Sequence, residues 1–107
     1  MKRYDIFLSV IYVLSDNLDQ LHKILKNTIQ VISPIVADYE IIIVDNVSDK
    51  NKSVSLLKKL TNDKELHNLQ VYVLNKQVEE NIAACIGLDK SLGDFVGILN
   101  PFLDGIS

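Results

Sequence analysis

The stretch Ile41-Ile42-Ile43-Val44-Asp45-Asn46-Val47-Ser48 decides the architecture. Four β-branched residues in a row offer no polar face to water, and the run ends abruptly in a carboxylate, an amide and a hydroxyl. A continuous apolar run, as opposed to an alternating one, marks a strand covered on both faces, as in parallel sheets. Three other runs share this character, at residues 6–14, 71–74 and 95–99.

Helical periodicity fills the gaps between them. In the first gap Leu18, Leu21, Leu25, Thr28, Ile29 and Ile32 recur at helical spacing. Ser15 or Asp16 can cap this helix, Asp19 sits where the dipole favours an anion, and Pro34 ends it. In the second gap Val54, Leu57, Leu60 and Thr61 face inward and Lys52, Lys58, Lys59 and Lys64 outward. In the third, Ile82, Cys85, Ile86 and Asp89 form one stripe flanked by Ala83 and Ala84, with Cys85 read as a core thiol. Glu79 and Glu80 place negative charge at the start of this helix, and Gly93 suits a left-handed cap at its end.

Alternating strands and helices imply a parallel sheet with right-handed crossovers. The expected fold is α/β: a Rossmann-like three-layer α/β/α arrangement with a mainly parallel four-stranded sheet in the order 3-2-1-4. The first two helices then cover one face and the third the other.

Composition agrees and narrows the function classes. A length of 107 residues predicts one domain, and 48% apolar with 23% charged residues excludes a disordered tail. A net charge of −3 argues against a dedicated nucleic-acid binder, since no positive field draws in phosphates. A single cysteine excludes an internal disulfide framework. Neither a secretory leader pattern nor an apolar run of membrane-spanning length is present, so the expected location is cytoplasmic. His22 and His67 lack metal-ligand spacing.

Open α/β sheets bind ligands beyond the carboxyl ends of their strands, where the strand order reverses. The loops at 14–17, 45–51, 75–80 and 100–104 meet that description, and all four are polar. The carboxylate of Asp45 can accept hydrogen bonds from a ribose or a base. Equally, Asp45 or Ser48 can bond nearby amides and cap the second helix.

Three blocks resemble the N-terminal half of the family 2 glycosyltransferases, inverting enzymes of the GT-A fold. Leu8-Ser9-Val10-Ile11 with Ser15-Asp16-Asn17 resembles the opening strand and loop. Tyr39-Glu40-Ile41-Ile42-Ile43-Val44-Asp45-Asn46-Val47-Ser48 resembles the second strand and its Asp-Asp/Asn-x-Ser signature. Residues 81–89 with Gly93-Asp94-Phe95-Val96 resemble the third helix and the Gly-Asp-Tyr entry to the fourth strand. The resemblance implies binding of a nucleotide-sugar donor, UDP-linked in the usual case, for polysaccharide or cell-envelope glycan synthesis. It implies nucleotide contacts from Ser15, Asp45, Asn46, Ser48 and Asn100.

The family's Asp-x-Asp motif, whose second carboxylate holds manganese or magnesium, reads Asn100-Pro101-Phe102 here, and Phe102 cannot ligate a metal. Val47 stands where the family has glycine, and the glycine expected near Gln77 is absent. The family's catalytic base lies in its C-terminal half, so the chain is expected to be an inactive fragment of a longer protein. Its expected partners are that missing half, or a second copy held through the edge of the fourth strand. The alternative is a non-catalytic interaction module on a degenerate GT-A fold. A phosphoacceptor receiver domain fits poorly, because the third run ends in Leu74-Asn75-Lys76 with no aspartate to phosphorylate.

Overall fold

The computed structural model describes residues 3–15 and 18–99. Asp16, Asn17, Asn100, Pro101, Phe102, Leu103 and Asp104 lie outside the described residues. Strands β1 (Tyr4–Leu14), β2 (Val36–Asp45), β3 (Leu69–Val73) and β4 (Phe95–Leu99) alternate with helices α1 (Leu21–Ile32), α2 (Lys50–Thr61) and α3 (Glu80–Lys90). All three strand pairings are parallel and the order is β3-β2-β1-β4. The fold is therefore the expected Rossmann-like α/β arrangement.

The central strands behave as their sequences require. Ile41, Ile42, Ile43 and Val44 are fully buried, and burial of such side chains stabilises by about 2 kcal/mol each. Alternate residues go to opposite faces. Val10, Tyr12, Leu14, Ile41 and Ile43 pack with Leu21 and Leu25 of α1 and with Leu57 and Leu60 of α2. Ile11, Val13, Ile42 and Val44 pack against Ala83 of α3. Two helices on one face and one on the other complete the three layers.

Several local expectations are corrected. Strand β2 begins at Val36, earlier than the apolar run, because the chain leaves the turn after α1 already paired with Tyr4. A 3-10 turn over Leu18–Gln20 precedes α1, whose cap position is Gln20 with no side-chain capping bond, so Ser15 does not cap it. On α2, Ser53 turns inward with Leu57 and Leu60, and Val54 is exposed. The Ser53 hydroxyl is drawn in by the carboxylate of Asp45, as described below.

Helix α3 departs most from its periodicity. Its buried residues are Ala83 and Gly87, whereas Ile82 and Cys85 are exposed. Cys85 is therefore a surface thiol and not a core one. The reason is distance. A Cβ on Gly87 would lie 2.6 Å from a methyl of Ile11, so α3 rests against the sheet too closely for a large inward side chain. Glu79 and Glu80 do stand at the helix start, as expected.

Gly93 has no positive φ, and α3 ends at an extended Ser91. Its lack of a side chain serves a close approach instead: a Cβ there would fall 2.6 Å from Ser9 Oγ, 2.7 Å from Ser9 N and 2.8 Å from Phe7 O. The residue with left-handed backbone among those described is Asn68, at φ 62°, just before β3. Asparagine tolerates that region better than most residues.

A polar network lies beneath this contact, at the amino ends of β3 and β4. Ser9 and Glu40 are register partners on β1 and β2, and both are buried. The Ser9 hydroxyl donates to Glu40 Oε2 (2.5 Å), and Gln70 Nε2 donates to Glu40 Oε1 (2.9 Å). The backbone N–H groups of Leu92 and Gly93 donate to Glu40 Oε2 and to Ser9 Oγ, each at 2.8 Å. Among the described residues no buried side-chain polar atom lacks a partner. A satisfied network of this kind ties β1, β2, β3 and the segment entering β4 into one arrangement.

Candidate functional site

The carboxyl ends of β1, β2 and β3 form one rim. In register, Leu14 lies beside Asp45, and Asp45 beside Val73. Ser15, Asp45, Asn46 and Ser48 therefore share one end of the sheet, as expected from the sequence. Asn100 lies outside the described residues.

The four differ in how they are held. Asp45 is fully buried. Its Oδ1 accepts from Val47 N (3.1 Å) and Lys50 Nζ (3.3 Å), and its Oδ2 accepts from Ser53 Oγ (2.7 Å). Lys50 Nζ also donates to the Asp45 carbonyl at 3.0 Å. The carboxylate thus closes the turn after β2 and fastens it to the first turns of α2. An ammonium beside a buried carboxylate offsets part of the cost of desolvating it. Asp49, and neither Asp45 nor Ser48, occupies the α2 cap position, accepting from Asn51 N.

Asn46 is also buried, and its amide clamps the loop after β3. Nδ2 donates to the Val78 carbonyl (2.8 Å), and Oδ1 accepts from Val78 N (2.9 Å). Gln77 Nε2 donates to the Asn46 carbonyl (3.3 Å), and Asn46 N donates to the Leu14 carbonyl (2.8 Å). Three loops are joined through one residue. Val47 buries its side chain in the core.

Ser15 is half-buried and Ser48 is exposed, so these two are the hydroxyls of the set that reach the rim. An open depression of about 540 Å³ lies between the start of α1 and one side of α2. Apolar Leu18 and Leu56 line it, together with Asp19, His22, Lys52 and Lys59, so its charges are of both signs. His22 is engaged on its far side, pairing with Asp63 at 2.8 Å. That imidazole, ahead of the Glu65 amide, holds the Asp63 carboxyl below its ordinary 3.8. Sequence reasoning missed Lys50, Ser53, Gln77 and Val78. The available signal was spacing: Lys50 and Ser53 fall on the first turns of a helix that starts above Asp45.

No family model and no curated protein matches the chain. Its function is therefore argued from the geometry of this rim.

Among the described residues no group of three or more His, Cys, Asp or Glu side chains could hold a cation. Among the described residues the buried carboxylate at the rim, Asp45, already receives three donors. No helix of the described residues is long and apolar enough to cross a membrane.

Proposed function

We propose that the chain is the donor-binding half of a family 2-type glycosyltransferase, taking a nucleoside diphosphate sugar, UDP-linked, at the carboxyl ends of β1 and β2. The observation that carries the reading is the locked rim. Asp45 and Asn46 spend their side chains fixing the loops after β1, β2 and β3 at the point where an open sheet with this strand order takes its ligand. Loops fixed before binding lose less entropy when a ligand arrives.

In this reading Asp45 and Asn46 are positioning residues. Ser15 and Ser48 offer hydroxyls to the nucleotide, and Asn100 offers its amide. Lys52, in the first turn of α2, adds positive charge near the rim, which favours an anionic ligand. The assigned role is donor binding without transfer, in cytoplasmic synthesis of polysaccharide or cell-envelope glycan. Binding is expected to depend little on manganese or magnesium, because Phe102 stands at the ligand position. Titration with UDP, followed by amide NMR, is expected to shift Ser15, Asp45, Asn46, Ser48 and Asn100. No shift at millimolar UDP refutes the reading, and a large gain in affinity on adding manganese refutes its metal-independent form.

A second reading, an interaction module on the same fold, is favoured by a separate observation. The outermost strand β4 and the residue before its entry leave Leu92, Phe95 and Ile98 exposed at 76%, 60% and 52%. The partner is either a further part of the protein or a second copy.

A further inference from the structure

We propose that β4 pairs with β4 of a second copy of this chain, antiparallel about a two-fold axis at Gly97, to form one continuous eight-stranded sheet. The inference rests on the second reading above and is independent of nucleotide binding.

Within its own five residues, strand β4 carries no side chain that guards a sheet edge. Phe95-Val96-Gly97-Ile98-Leu99 has no charge, no proline and no lysine. Its outer backbone groups are therefore a template for another strand, and a symmetric partner is the commonest kind.

The sequence of β4 suits itself. With the axis at Gly97, Phe95 lies opposite Leu99, Val96 opposite Ile98, and Gly97 opposite Gly97. All five residues are used and every pair that carries side chains is apolar. The faces also match. Register with β1 puts Phe95, Gly97 and Leu99 on the α1/α2 face, and Val96 and Ile98 on the α3 face. A two-fold perpendicular to the sheet keeps both faces in place.

Gly97 supplies a second observation. A Cβ at Gly97 would find no atom within 4 Å, so open space lies over this position in the single chain. In the antiparallel pair the diagonal neighbour of Gly97 is Phe95 of the second copy, within reach of its ring. An aromatic lying over an edge glycine fills such a gap. Phe95, Val96 and Ile98 are exposed in the single chain, so pairing at this edge removes apolar surface from water.

The test is the mass in solution of the wild-type chain, Gly97→Asp, Gly97→Lys and an equal mixture of the two variants, by sedimentation or light scattering. The wild type is expected to reach twice the 12.1 kDa of one chain as concentration rises. Each variant alone sets like charges face to face across the axis and is expected to weaken the dimer about fivefold or more. The mixture sets opposite charges face to face and is expected to restore it. Far-ultraviolet circular dichroism confirms that each variant is folded. A wild type that stays monomeric at high concentration overturns the proposal. If the outward-facing β4 amides of that monomer, those not bonded to β1, still resist hydrogen exchange, the edge is covered by the chain itself. A dimer unaffected by both charges overturns the β4 geometry while leaving association through another surface standing.

Discussion

Replacing Gly93 by alanine tests the close approach of the β4 entry to β1. The new Cβ would fall within 3.0 Å of Ser9 Oγ, Ser9 N and Phe7 O. Two of these are backbone atoms of the central strand, which cannot swing aside as a side chain can. The segment entering β4 must move instead, and overpacking of this kind costs about 1–3 kcal/mol. The movement also stretches Gly93 N to Ser9 Oγ, Leu92 N to Glu40 Oε2 and Asp94 N to Phe7 O. Weakening a bond to a carboxylate adds about 1.5–3 kcal/mol at most. Against this, alanine restricts the unfolded chain and returns about 0.4–1 kcal/mol. The expected net loss is about 3 kcal/mol, a large part of the roughly 5–15 kcal/mol available to a domain of this size. Urea denaturation in dilute solution measures it as a midpoint lowered by about 1–3 M with unchanged slope. Gly97→Ala is the control, because open space surrounds that position. It is expected to leave the chain as stable or to add about 0.5–1 kcal/mol. A Gly93→Ala variant within about 0.5 kcal/mol of wild type, or one no worse than Gly97→Ala, would refute the steric account.

Two further outcomes follow from named contacts. Ser9→Ala and Glu40→Gln are each expected to cost about 1–3 kcal/mol, and the double variant less than their sum by about 1 kcal/mol, since both disturb one bond. Strict additivity in the same denaturation assay would show that this bond contributes nothing. Asp63 titrates below its ordinary 3.8 in the folded chain, chiefly through His22, so its contribution is present above that value and lost as pH falls through the lower folded value. The stability gap between wild type and Asp63→Asn is therefore expected to shrink with acidification below pH 3.8, and a gap independent of pH would contradict the pairing.

Particular residues show where sequence reasoning held and where it stopped. The central strands were legible because burial on both faces demands unbroken apolar sequence, which Ile41, Ile42, Ile43 and Val44 supply, whereas the equally apolar β4 is left exposed. The end of the sheet that carries Ser15, Asp45, Asn46 and Ser48 was legible for a related reason: polar residues at a strand end have only loop to occupy. The roles within that set were not legible. Asp45 and Asn46 are loop fasteners because Ser53, Lys50 and Val78 approach them in space, up to 32 residues away in sequence. No local pattern records such a meeting.

Helices were harder still. Leu57 and Leu60 of α2 follow the rule that large apolar residues turn inward, but α3 inverts it. Ile82 points out because the gap between helix and sheet, set by Ile11 opposite Gly87, admits only small side chains. Gly93 carries the same lesson. Its position after a helix suggests a cap, whereas its function is to let one strand entry lie against another.

The sequence by itself determined the alternation of elements, the parallel sheet and the polar rim, since each depends on hydrophobic burial repeated along the chain. Only the tertiary structure decided which residues meet: the Ser9–Glu40 network, the Asn46 clamp and the close seat of α3. The physical reason is that burial is counted residue by residue, while hydrogen bonds and steric limits belong to pairs distant in the chain.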